Sequence, residues 1–206
     1  MGSDAEMFPL VQALIESRET VLPRCLVEPG PSPDQIESLL ALAAAAPDHG
    51  KLTPWRFILV PTAQRHRLAE AFARALTDRD PQATPAQISQ AGEKAYRAPL
   101  LMVAVACLGP RKPDTPPLER MVSMGAAIQN ILLGAHAMGF AAGLTGGRAM
   151  NSPRMQRLLG LAEGEVPVCC INIGTATARR PRSAPRPLPS ALLSELPDDA
   201  SARGGV

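Results

Sequence analysis

The chain has 206 residues, 46% of them apolar, and a formal net charge of +2. That length suits one domain with a real core and is short for two. So weak a charge gives no field that would draw the chain to nucleic acid or to an anionic membrane, and no basic stripe interleaved with aromatics offers single-strand binding.

Residues 1–7 read as a loose leader and lack the basic-then-apolar pattern of a signal peptide. Pro9 to Ser17 reads as a first helix, with Leu10, Ala13 and Leu14 near one face. Arg18-Glu19-Thr20 follows directly, and Val21 to Pro31 is proline-rich and irregular. Ser32, Pro33 and Gln35 then form a capping box with proline in the first turn. The helix they open carries Ile36, Leu39, Leu40 and Ala43 at i, i+3, i+4 and i+7. Pro47 disfavours helix at Ala46 and ends it. A polar loop runs to Pro54 with His49 at its centre, and Trp55 to Val60 reads as a buried strand.

Thr62 is placed to cap a helix to about Thr77, with Leu68, Phe72 and Ala75 as its inner stripe. After a polar break, Pro85 starts another helix ending near Arg97. Leu100 to Cys107 is a continuous apolar run, as in a strand buried on both faces. Gly109 to Pro117 is a proline-rich loop. The helix from Leu118 to Met138 is apolar on nearly every side, so it must be enclosed, and a partner subunit is the natural extra cover. Gln129, Asn130 and His136 argue against its spanning a membrane. Phe140 to Thr145 reads as a short strand and Gly146-Gly147-Arg148 as a turn. Asn151-Ser152-Pro153 opens a helix that Gly160 ends, and Val166 to Ile173 is the last strand. Arg179, Arg180, Arg182 and Arg186 then alternate with prolines, and residues 191–206 are expected to be a disordered tail. Four strands and six helices in mixed order give an α+β class, with one domain over 8–190.

Motifs for the commonest chemistries are missing. There is no dinucleotide or phosphate-binding glycine fingerprint, no nucleophile elbow and no H-E-x-x-H. Three widely spaced histidines make a poor metal shell, so no metal is expected. Cys25, Cys107, Cys169 and Cys170 form no C-x-x-C and read as reduced buried thiols, the last two on alternate faces of a strand. A cytoplasmic protein is the expectation.

Three segments carry groups with chemical use. Arg18 and Thr20 offer a guanidinium fork and a hydroxyl, the pair a phosphate needs, although such triplets are usually solvated turns. Gly143-Leu144-Thr145-Gly146-Gly147 lets backbone N–H groups approach a ligand closely, or is an ordinary turn. His49 offers two ring nitrogens near their neutral-pH transition, or is merely solvated.

Ala-Pro-Asp-His-Gly-Lys-Leu-Thr-Pro-Trp-Arg-Phe, residues 46–57, closely resembles the signature loop of the nitroreductase family. It is most similar to the short bacterial branch of NAD(P)H nitroreductases with an Ala-Pro-Asp-His loop, over about Leu10 to Thr175. The resemblance implies a mainly antiparallel sheet flanked by helices, in an intertwined homodimer with FMN at the subunit interface. It implies that Arg18, Glu19 and Thr20 hold the FMN phosphate and ribityl, with threonine where the family has serine. Matching Ser17-Arg18-Glu19 instead would put glutamate at the hydroxyl position. It places Leu144, Thr145 and Gly146, which stand where relatives carry Trp-Arg-Ser, along the flavin ring. His49, oriented by Asp48, would reach the flavin of the other subunit, and one of Arg179, Arg180 and Arg182 the phosphate. His66 and His136 read as surface and helix-packing residues.

The function so implied is ping-pong hydride transfer from NAD(P)H through FMN to a small electron-poor acceptor such as a nitroaromatic or quinone, with no obligatory catalytic side chain. The alternatives are another flavin activity of the same fold, dehalogenation or flavin fragmentation, and a flavin-binding or sensing protein without turnover.

Overall fold

A computed structural model describes residues 4–110, 114–177 and 186–196. Six α-helices and five strands follow the order α1 (Asp4–Ser17), β1 (Leu26–Val27), α2 (Pro33–Ala44), β2 (Trp55–Leu59), α3 (Arg65–Arg79), α4 (Pro85–Glu93), β3 (Leu100–Cys107), α5 (Pro117–Ala137), β4 (Ala141–Thr145), α6 (Pro153–Leu158) and β5 (Glu165–Ala176). Every strand pairing is antiparallel. The sheet runs β1-β5-β3-β2, and β4 pairs β5 on the same side as β1.

β3 shows why the two layers form. Its even residues Leu100, Met102, Ala104 and Ala106 pack with Leu39 and Ala43 of α2 and Met124, Ala127 and Ile131 of α5. Its odd residues Leu101, Val103 and Val105 pack with Leu68 and Phe72 of α3 and Met155 of α6. A period of two thus serves two cores, and both faces are covered. Cys169 and Cys170 split between the same two cores, as expected from their adjacency. Burial pushes their thiols up, to about 11 and about 12, so neither is a thiolate near neutral pH.

Local signals set most helix ends. Ser32 and Gln35 cap each other's backbone, and Thr84 and Gln87 repeat that box at α4. Several boundaries, and one whole strand, depart from the sequence reading. α1 begins at Asp4, inside the segment read as a leader. Thr62 opens a 3-10 turn and caps nothing; α3 starts at Arg65. α4 stops at Glu93, and a 3-10 turn covers Lys94–Tyr96. β1, a strand of two residues, escaped notice among prolines because its pairing with β5 comes from tertiary contact. Residues 197–206 of the expected tail lie outside the described residues.

Arg65, 3% exposed, has no carboxylate against it among the described residues. Its guanidinium donates to the carbonyls of Val60 (2.8 Å), Ala95 (2.7 Å), Ala98 (3.2 Å) and Pro99 (2.9 Å) and ties the exit of β2 to the entry of β3. Among the described residues no helix is long and apolar enough to cross a membrane.

The segment after α1 lies along β4. Thr20 bridges Ala142, and the Val21 N–H donates to the Ala142 carbonyl at 3.0 Å. A Cβ at Gly143 would collide with the Val21 carbonyl oxygen, so only glycine permits this approach. Gly143→Ala is expected to destabilise the fold by about 1–3 kcal/mol through overpacking. Thermal unfolding checks this; an unchanged Tm would contradict the close packing.

Candidate functional site

β4 and its neighbours bring two of the three sequence candidates together. Beside β4, Arg18 and Glu19 are half-buried and Thr20 is exposed. Leu144, Thr145 and Gly146 at the end of β4 are exposed. Gly147, at φ 131°, follows in a conformation that suits glycine alone. Asn172 fixes this end of the strand. It is 1% exposed, and its Nδ2 donates to the Gly143 carbonyl (3.2 Å), the Thr145 hydroxyl (3.0 Å) and the Cys170 carbonyl (3.3 Å). The sequence reading missed Asn172, although it is the one amide in the apolar run Val166 to Ile173. A cavity of about 420 Å³ opens against Thr145 and Gly146. Arg179, Arg180 and Arg182 lie outside the described residues.

His49 lies elsewhere. Its loop turns through Gly50 (φ 72°), Lys51 (φ 53°) and Thr53 (φ 44°). A β-branched residue at positive φ is a backbone outlier, and such strain gathers at functional loops. Asp48 does not orient His49, contrary to expectation: its carboxylate accepts the Thr53 N–H and holds the turn. Glu119, in the first turn of α5, takes that part, with Oε2 2.8 Å from His49 Nδ1. The imidazole's Nε2 makes no hydrogen bond within the described residues. His66 is exposed, and His136 Nε2 meets Ser17 Oγ at 2.8 Å, which joins α5 to α1.

Two arginines hold the surroundings of this loop. Arg56, next to Trp55, makes two 2.7 Å bonds to Glu165 and so clamps β2 to β5 across β3. Arg120, 2% exposed, donates to the carbonyls of Thr115 (2.9 Å), Cys107 (3.3 Å) and Gly109 (2.6 Å). It pins the described ends of the 109–117 loop to the start of α5, beside Glu119.

Sheet order decides how far apart the two halves are. The His49 loop feeds β2 at one edge, and Leu144, Thr145 and Gly146 finish β4 at the other. β5 and β3 lie between, so three strand spacings, about 14 Å, separate them across the sheet.

A model of the nitroreductase family matches residues 15–175, which span both halves. The chain belongs to the nitroreductase family. A Haemophilus influenzae protein named "Putative NAD(P)H nitroreductase" is 29% identical over 157 residues, covering 76% of this chain and 84% of that protein. Among solved structures, a nitroreductase-like family protein from Bacillus cereus superposes with a TM-score of 0.76 at 21% identity, over 90% of this chain and 95% of that one. The FMN-dependent nitroreductase NfnB from Mycobacterium smegmatis, solved in complex with NADPH, gives a TM-score of 0.67 at 18% identity, over 93% of this chain and 100% of its own.

In this nitroreductase the clamp under the His49 loop is pH-sensitive. Arg56 holds the Glu165 carboxyl below its ordinary value of 4.5, at about 2. The folded carboxylate binds a proton less readily than the unfolded one. Its contribution is therefore complete above the unfolded value and is lost as pH falls towards 2. Glu165→Gln is expected to lose less stability than the parent between about pH 5 and about pH 3. Urea unfolding at both values checks this; equal pH slopes would contradict it.

Proposed function

We propose that the chain is an FMN-dependent oxidoreductase that uses NAD(P)H to reduce nitroaromatic, quinone or similar electron-poor acceptors. The names of its relatives support the cofactor and the reductant: NAD(P)H for the Haemophilus protein, FMN and NADPH for NfnB. The observation that carries the reading is the run of Arg18 to Thr20 along β4, with Thr20 bridged to Ala142 near its start and the exposed Thr145 and Gly146 at its far end. A flavin nucleotide fits that ground. Leu144, Thr145 and Gly146 are exposed, and a Cβ at Gly147 would meet nothing within 4 Å. Arg18 supplies a fork and Thr20 a hydroxyl for a phosphate.

When bound, FMN supplies the hydride relay between reductant and acceptor. The chain's own residues bind and orient. Arg18 and Thr20 would hold the phosphate, with Glu19 between them. Asn172 keeps Thr145 and the β4 backbone in place for the ring. No side chain is an obligatory acid or base. The reductant leaves before the acceptor enters, in a ping-pong order.

His49 joins the site from a second copy. The apolar surface of the single chain supports that arrangement. α5 leaves Leu118 and Val122 80% and 74% exposed, and Gly125 and Gln129 continue their stripe. Phe8, Leu10 and Ile15 of α1 are exposed, as are Leu188, Leu192, Leu193 and Leu196 of the C-terminal arm. So much uncovered leucine calls for a partner surface. In the homodimer α5 would form the seam and the arm would wrap the other copy.

A second reading, a flavin-binding protein without turnover, draws on the half-buried Glu19 between Arg18 and Thr20. One experiment separates the two. Mixing the yellow protein with NADPH or NADH under anaerobic stopped flow is expected to bleach the flavin, and an acceptor to restore its colour. Flavin that stays oxidised under excess of both nucleotides would refute the reductase. His49→Ala is expected to weaken FMN retention by roughly tenfold, the loss of one ring-directed hydrogen bond, and to lower acceptor turnover with it. Unchanged flavin affinity together with unchanged rates would remove His49 from the site.

A further inference from the structure

The cavity of about 420 Å³ beside Thr145 and Gly146 has a composition that the flavin reading does not use. Arg79, Lys94, Arg97 and Arg148 all line it. Arg79 ends α3, and Arg148 follows the glycine turn after β4. Lys94 begins a 3-10 turn and Arg97 follows its last residue. Residues three apart eclipse in such a turn, so these two point the same way.

None of the four forms an ion pair or side-chain hydrogen bond with another described residue. That is not the habit of this face. Nearby, Arg74 pairs with Glu70 at 2.8 Å and Arg154 with Asp78. The one acid lining the cavity, Asp80, accepts the Gln82 N–H at 3.1 Å in its own turn. Four like charges around one hollow repel, and an anion placed among them relieves this. The rest of the lining is of another kind. Phe72, Leu76 and Met150 give an apolar floor, and Gln87 and Gln90 offer amides that both donate and accept.

Cations for phosphates, an apolar floor for a ring and amides for a base edge together describe a phosphorylated nucleoside. We propose that this cavity binds the phosphate-rich adenosine half of the reductant and thereby favours NADPH over NADH. The inference rests on the reductase reading for the identity of the nucleotide. Thr145 and Gly146 border both the cavity and the ground assigned to the flavin ring, so a dinucleotide seated here leads its nicotinamide towards the ring. The extra 2′-phosphate of NADPH adds two charges that the four cations can meet with forked or direct bonds.

The test is calorimetric titration of adenosine 2′,5′-bisphosphate into the FMN-loaded protein, with adenosine 5′-monophosphate and inorganic phosphate as separate probes. The bisphosphate is expected to bind without displacing FMN and more tightly than either other probe. Arg97→Ala and Arg148→Ala are each expected to weaken it by about tenfold, as for one charge-assisted bond, with Arg97→Lys recovering most of that loss. The same variants should raise the KM for NADPH far more than that for NADH. Displacement of FMN would show that the cavity is the flavin's own pocket and overturn the proposal. So would inorganic phosphate binding as tightly as the bisphosphate, or variants that bind it like the parent. The titration does not depend on turnover. Bisphosphate binding in a protein whose flavin neither nucleotide bleaches would overturn the reductase reading and leave the nucleotide site standing.

Discussion

Two edges of one antiparallel sheet set the terms for everything else in this molecule. The loop with His49 enters at β2, and the exposed Leu144, Thr145 and Gly146 end β4. β3 and β5 between them are covered on both faces, by α2 and α5 on one side and α3 and α6 on the other. Such a sheet does not fold back to bring its edges together. The groups we assign to the flavin are therefore divided within a chain, and rotation of a second copy is the simple way to join them.

Packing at each edge is built for this division. At the β4 edge the chain after α1 comes so near that Gly143 has no room for a Cβ, and buried Asn172 fixes the strand end from beneath. At the β2 edge a strained turn, a forked Arg56–Glu165 clamp and a buried Arg120 hold the His49 loop outward. Glu119 then occupies one ring nitrogen and leaves the other available. Leu118 and Val122 of α5 and the leucines of the arm leave apolar surface open. Each fully buried leucine contributes about 1.5–3 kcal/mol, so association has a substantial apolar gain to draw on.

Much of this was legible in the sequence, for identifiable reasons. Long apolar runs and helical periods gave β3, β5, α2 and α5, because burial on two faces or one stripe leaves a strong pattern. The Ser32–Gln35 box and Ser152 marked helix starts through local chemistry that needs no tertiary contact. β1 was hidden because two residues carry no period. The Thr62 assignment failed because a 3-10 turn intervenes before α3. At the site, Arg18, Thr20 and the glycine segment stood out by residue type, but that they lie along one strand depends on the pairing of Thr20 and Val21 with Ala142. Glu119 could not be joined to His49 across seventy positions of chain by spacing alone. The cationic cavity was invisible for the same reason, since its four cations come from three separate stretches.

The central claim is that each flavin site takes Arg18 and Thr20 from one copy and His49 from the other. Co-assembly of an Arg18→Ala chain with a His49→Ala chain tests it most directly, read as FMN retained per chain. Each variant alone should hold little flavin. Half of randomly paired dimers are mixed, and a mixed dimer keeps one intact site of two, so the mixture should recover about a quarter of the parent's flavin. A mixture that holds no more than its separate components, or a protein that stays monomeric while binding flavin fully, would contradict the shared site.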